Sequence, residues 1–173
     1  MIAILEEAME RESQAGNPLW KMCMQGDLGG VRKALRRGGA SVNEVGPDGK
    51  TGLILAVCEG DLNMVRFLLQ QPGIELSCKD SHGFTALHRA LLKRDGMQLS
   101  SIASLSSTST LNTKDAEGRT PLMLAIHMGL FKCVEVLLSF PGVDFDIEEA
   151  GACHRWVEAK KTRYLPIFFI TGE

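Results

Sequence analysis

The sequence predicts an all-α fold, an array of stacked helix-turn-helix units joined through short hairpin-like tips. Three observations carry this. Similar segments begin at Asn17-Pro18-Leu19, Thr51-Gly52-Leu53, Thr85-Ala86-Leu87 and Thr120-Pro121-Leu122, at intervals of 34, 34 and 35 residues. Inside each segment, apolar residues recur at the spacing of one helical face. Leucine fills 22 of the 173 positions while aromatics make up 6%. That balance suits helix-on-helix packing; sandwiches and barrels draw more on aromatic and β-branched residues.

The first element is the N-terminal stretch 1–14. Ile2, Leu5, Ala8 and Met9 lie on one side and glutamates elsewhere. It reads as a capping helix laid on the first unit, with docking on a partner as the alternative. The array follows over 15–150, divided at about 15–47, 48–81, 82–116 and 117–150. In the first helix of a unit, Leu53, Ala56 and Val57 sit at i, i+3 and i+4. Leu87, Ala90 and Leu91 repeat this, as do Leu122, Ala125 and Ile126. Thr120-Pro121 and Asn17-Pro18 suit an N-cap followed by the first helical position. Gly26, Gly60, Arg94 and Gly129 stand nine residues after the four starts. At Gly60 and Gly129 the first helix is expected to stop.

The second helix carries Leu62, Val65, Leu68 and Leu69. Phe131, Val134, Leu137 and Leu138 match it, and so do Leu28, Val31, Ala34 and Leu35. Asn43, Ser77, Asn112 and Asp146 close the units. Asp48-Gly49, His82-Gly83 and Glu117-Gly118 place a turn before the next start. The third unit departs from this pattern. Its second helix reads Met97–Ala103 and runs into the serine- and threonine-rich stretch Ser104–Thr110, so a short or frayed helix is expected there. His154–Ala159 stands in step for a fifth unit, but the residues after it have no second-helix pattern. The segment 151–173 therefore reads as degenerate or truncated, and Leu165–Ile170 as either tucked against the last unit or a product of truncation.

These residues resemble the ankyrin repeat, whose unit of about 33 residues opens on a T-P-L-H-x-A signature. Thr85-Ala86-Leu87-His88-Arg89-Ala90 departs from it only at the Pro, and Thr120-Pro121-Leu122-Met123-Leu124-Ala125 only at the His. Thr51–Ala56 lacks both, and Asn17–Met22 is the weakest of the four. The resemblance implies a solenoid in which His88 and the helix-opening Thr support the turns. It also implies binding through the hairpin tips and the exposed side of the first helices. Carried over by position, the tips offer Pro47, Asp48 and Lys50, then Ser81, His82 and Phe84, then Ala116, Glu117 and Arg119. The helix positions are Cys58 and Glu59, Leu92 and Lys93, and His127 and Met128. Phe84 is the expected anchor, because aromatic residues dominate interface hot spots.

Composition narrows the function from the other side. Nineteen basic and 21 acidic residues give a net charge of −2, which argues against nucleic acid or an anionic membrane as partner. No apolar run approaches the roughly 18 residues of a membrane span, and the N-terminus lacks the pattern of a secretory signal. Five cysteines without a CxxC pair fit reduced thiols in the cytoplasm or nucleus. Cys78, His82 and His88 are spaced only loosely like a zinc site, with no evident fourth ligand, so no metal and no cofactor are expected. GxSxG, P-loop, GxGxxG and HExxH patterns are missing. Cys23 aligns with Val57, Leu91 and Ile126 as core. The clusters Arg32, Lys33, Arg36 and Arg37, then Arg155, Lys160, Lys161 and Arg163, and the acids Asp144, Asp146, Glu148 and Glu149 read as solvated face by default, with a partner-binding patch as the alternative. The expected function is a monomeric, non-enzymatic module that binds a protein. The alternative is a targeting or regulatory fragment of a larger signalling, channel or ubiquitin-ligase adaptor protein.

Overall fold

A computed structural model describes residues 17–144. The expected capping helix over 1–14, the degenerate segment 151–173, Asp146 and the charged residues beyond Asp144 lie outside the described residues. Within them the chain forms nine α-helices, one 3-10 turn (Pro47–Gly49) and no strand. In order these are α1 (Leu19–Met24), α2 (Leu28–Arg36), α3 (Gly52–Glu59), α4 (Leu62–Leu69), α5 (Ala86–Leu92), α6 (Gly96–Ala103), α7 (Thr108–Leu111), α8 (Pro121–His127) and α9 (Phe131–Leu138). The first helices pack in one row, α1 on α3, α3 on α5 and α5 on α8. Among the second helices, α4 packs on α6 and α6 on α9. Each pair is joined internally by a tight turn, so the architecture is the predicted two-layer stack.

The core lies between the layers and runs the length of the array. The first-helix stripes that the periodicity singled out are buried: Leu53, Ala56 and Val57, Leu87, Ala90 and Leu91, and Leu122, Ala125 and Ile126. Of the second-helix stripes, Val31, Val65, Leu68, Leu69, Val134 and Leu137 are buried, whereas Phe131 and Leu138, expected to face inward, are exposed. Burying a leucine or valine side chain contributes about 1.5–3 kcal/mol. That matters here because helices of four to nine residues are too short to persist alone.

One capping device repeats in every unit. After the first helix the chain turns through a left-handed residue: Gly26 (φ 71°), Gly60 (φ 81°), Arg94 (φ 58°) and Gly129 (φ 66°). Its amide and the next one reach back to the helix end, as in Arg94 N to the Leu91 carbonyl (2.9 Å) and Asp95 N to the Ala90 carbonyl (3.2 Å). The residue after it then starts the second helix. Asp27, Asp61 and Asp95 accept side-chain bonds from the amides of Gly30, of Met64, and of Met97 and Gln98. Leu130 holds this place in the last unit and has no side-chain cap to offer.

The expectation of a short or frayed helix in the third unit is overturned. α6 has eight residues, as many as α4 and α9. The two-amide cap from Asp95 anchors its start. Its serines also return bonds to the backbone: Ser101 Oγ donates to the Met97 carbonyl and Ser104 Oγ to the Ser101 carbonyl, both at 2.9 Å. The following serine and threonine residues form the extra turn α7, capped by Ser107, which buries Leu111.

Gln98 is the exception in this core. It is fully buried, and neither its amide nitrogen nor its oxygen has a hydrogen-bond partner. The matching position one unit earlier is the fully buried Met64.

Three substitutions test these points by urea denaturation. Arg94→Gly should raise stability by about 1 kcal/mol, since a non-glycine residue in the left-handed region is strained, whereas Gly129→Arg should lower it by a similar amount. Gln98→Met should add roughly 1–2 kcal/mol by removing an unsatisfied buried amide; a loss of stability would show that the amide is satisfied in solution.

Candidate functional site

The tips are built on a repeated backbone bond. Gly46 N donates to the Lys50 carbonyl (2.8 Å), Asp80 N to Phe84 (3.0 Å) and Asp115 N to Arg119 (2.9 Å). Two tips are further locked by a buried carboxylate. Asp80 Oδ1 accepts from the amides of His82 and Phe84, and its Oδ2 pairs with the Arg89 guanidinium. Asp115 Oδ1 accepts from the amides of Glu117 and Arg119, and Oδ2 takes Arg119 Nε at 2.9 Å. Burial alone would push the Asp115 carboxyl up. The Arg119 amide and guanidinium, the Glu117 amide and the Arg119 charge together hold it below the ordinary carboxylate value. In the first tip Gly46 stands in the place of these acids, and the Trp20 ring lies against it.

Neighbouring tips touch. Ser81 N donates to the Asp48 carbonyl at 2.8 Å. A Cβ on Gly83 would come within 2.5 Å of Ala116 N, so the second and third tips meet at a position that only glycine fits. His88 ties the same two units together. Its Nδ1 lies 2.9 Å from Thr85 Oγ1 and its Nε2 3.1 Å from the Arg119 carbonyl. The turn-supporting role implied for His88 and Thr85 is therefore what their geometry provides. With both ring nitrogens engaged, His88 is also in no position to join Cys78 and His82 around a metal.

The carried-over surface residues fall into two groups. Pro47, Asp48, Ser81, His82, Ala116 and Glu117 stand exposed along the tips. On the first helices Glu59, Leu92, Lys93 and His127 are exposed, while Cys58 and Met128 are half-buried. Three tip residues are instead tied into the fold. Lys50 is half-buried and 3.5 Å from Asp48. Arg119 is clasped between Asp115 and Glu117. Phe84, the expected anchor, is half-buried: the Arg89 guanidinium lies 5.0 Å from its ring centre, and the rings of His88 and His82 lie at 5.9 and 6.4 Å.

Sequence reasoning missed other members. Met24 and Gln25 occupy the positions of Cys58 and Glu59 in the first unit, and both are exposed; the 34-residue interval would have found them. Asp80 and Asp115 were signalled by a shared D-x-x-G-x-T before each helix start.

No nucleophile stands out among the described residues. Burial first, then the charges of Asp61 and Glu44, push the Cys23 thiol up to about 12. Burial likewise raises Cys78, helped by its bond to Glu75, and Cys133. A protonated thiol is a poor nucleophile.

His88 gives this site a pH signature. Burial holds its pKa below the ordinary 6.5, against the opposing pull of the Arg119 carbonyl and the Asp115 charge. The unfolded chain therefore takes up a proton near 6.5 while the folded ring stays neutral. Stability should be fully present above that value and fall as pH drops through it towards the lower folded pKa. Urea midpoints measured from pH 7.5 to 5 should show this decline in the parent chain and a shallower one in His88→Gln; equal slopes would contradict it.

Comparison with known proteins agrees with this geometry. A family model described as ankyrin repeats (3 copies) matches residues 19–103, and one described as ankyrin repeat matches 117–149. Transient receptor potential cation channel subfamily A member 1 of Drosophila melanogaster is 27% identical over 145 residues, covering 82% of this chain and 12% of the channel. BTB/POZ domain-containing protein 1 of Schizosaccharomyces pombe is 39% identical over 105 residues, 58% of this chain and 8% of that protein. The Homo sapiens channel of the same subfamily is 31% identical over 110 residues, 59% of this chain and 9% of the channel. The chain thus spans about a tenth of the length of these relatives.

Proposed function

Because the chain belongs to the ankyrin-repeat family, we propose that it is a non-enzymatic interaction module that grips a protein through its tips and the exposed side of its first helices. The observation that carries this reading is the double row at equivalent positions of adjacent first helices. Met24, Cys58, Leu92 and His127 form one line, and Gln25, Glu59, Lys93 and Met128 the next. The rows rest on a pre-built core, so little ordering entropy is lost on association. They mix apolar groups with charges of both signs, which suits a protein surface better than a polyanion. Among the described residues, the unpaired thiols at Cys23, Cys58, Cys78 and Cys133 support the cytoplasm or nucleus as its compartment. A closed C2 pair or other self-association is not needed to complete the rows, and the proposed state is monomeric.

A second reading has a specific observation in its favour. In each of the named relatives the matched region is a small part of a much longer protein. The array is then a targeting or regulatory segment whose companion domain does the chemistry. A longer transcript that reads through these repeats supports that; its absence from cells that make this chain counts against it.

Glu59→Lys combined with Lys93→Glu reverses two exposed charges on the rows and touches no core contact. Affinity capture from cells should lose the proteins retained by the parent chain, while circular dichroism stays unchanged. Undiminished capture would move the binding face elsewhere. Phe84→Ala is the poorer probe, because the ring's contacts to Arg89 and His88 make it part of the tip's own packing; it should lower stability as well as capture.

A further inference from the structure

Away from the first-helix rows, α2 and α4 enclose a recess of about 320 Å³. It is lined by Arg32, Leu35 and Arg36 of α2, Phe67 of α4, and Gln70 and Gln71 just beyond it. The Arg32 guanidinium lies 5.1 Å above the Phe67 ring centre and so bridges the two units. Gln71 Nε2 donates to the Phe67 carbonyl at 2.9 Å, which holds that amide at the rim.

The charge around this recess has one sign. The two helices carry Arg32, Lys33, Arg36 and Arg66, with Arg37 next, and no carboxylate. All five cations are exposed, and none takes part in an ion pair among the described residues. Among the described residues, four acids of the first two units are engaged elsewhere. Asp27 and Asp61 cap the helix starts, Glu44 accepts the Leu19 amide, and Glu75 takes the Cys78 thiol. On the other second helices, α6 carries no charge and α9 has Lys132 beside Glu135. The positive face is therefore local to the first two units of a chain whose net charge is −2.

We propose that this recess is a second docking site, distinct from the first-helix rows, for an acidic segment of a protein partner whose carboxylates pair with Arg32 and Arg36. The two guanidinium groups stand one helical turn apart on α2, and each presents the planar fork that matches a carboxylate. Leu35 and the rim of Phe67 give the stem of an acidic side chain an apolar wall. A recess favours inserted side chains. A membrane surface or a nucleic-acid backbone would meet only the ridges around it.

The test is fluorescence anisotropy of a fluorescein-labelled octaglutamate peptide with the full chain. Saturable binding at about 50 mM salt, weakening several-fold at about 300 mM, is expected. Arg32→Glu with Arg36→Glu should weaken it about tenfold or more. The paired reversal at Glu59 and Lys93 should leave it unchanged, so this proposal and the first-helix reading stand or fall separately. Since Arg32 also packs on Phe67, Arg36→Gln alone, checked by a thermal melt, provides a variant that keeps the inter-unit contact; a several-fold loss is expected from it. The proposal is overturned by no saturable binding, by equal binding of the variants, or by an oligonucleotide of equal charge or phosphatidylserine vesicles binding more tightly than the peptide through the same arginines.

Discussion

Helices of four to nine residues cannot hold themselves together in water, and that single limitation organises this protein. Each unit exposes an apolar stripe on both of its helices, and only the next unit can cover it. Leu53 and Val57 are buried because α1 and α5 flank α3, just as Leu99 and Ile102 are buried because α4 and α9 flank α6. Stability is consequently shared between neighbours, and a defect in one unit weakens the units on either side.

Apolar contact alone would let such units slide, since one leucine stripe packs against another in several registers. Polar groups at the edges remove that freedom. Asn43 Nδ2 donates to the Gly73 carbonyl and its Oδ1 accepts from Glu75 N, and Asn112 does the same with Gly142 and Asp144. Each asparagine closes one unit and clasps the loop that ends the next. His88 performs the equivalent task at the tips by reaching the Arg119 carbonyl. These bonds are directional, so they hold only in one register.

The same economy separates the two faces. On the first-helix side, charges of both signs stand beside apolar groups in two pre-formed rows. On the second-helix side, α2 and α4 carry cations alone: Asp27 and Asp61 are spent on capping the helix starts, while Lys33, Arg36 and Arg66 stand in the last turns. Local helix chemistry thus produces an electrostatic asymmetry that the overall charge conceals.

Much of this was legible in the order of residues. The interval between starts, the i, i+3, i+4 stripes and the threonines that open three of the first helices determined the helices, their pairing and the existence of tips, because these features depend on spacing within one unit. The long-range outcomes were decided by the tertiary structure. Serines after Met97 suggested fraying, yet α6 is complete once Asp95 caps it and α9 packs on it. Phe84 reads as a free aromatic until Arg89 and His88 close around it. Arg32 and Phe67 lie 35 positions apart, and nothing in either unit alone announces that they meet. Periodicity reports what a residue can bury; which partner lies across the gap is set only when the units are laid side by side.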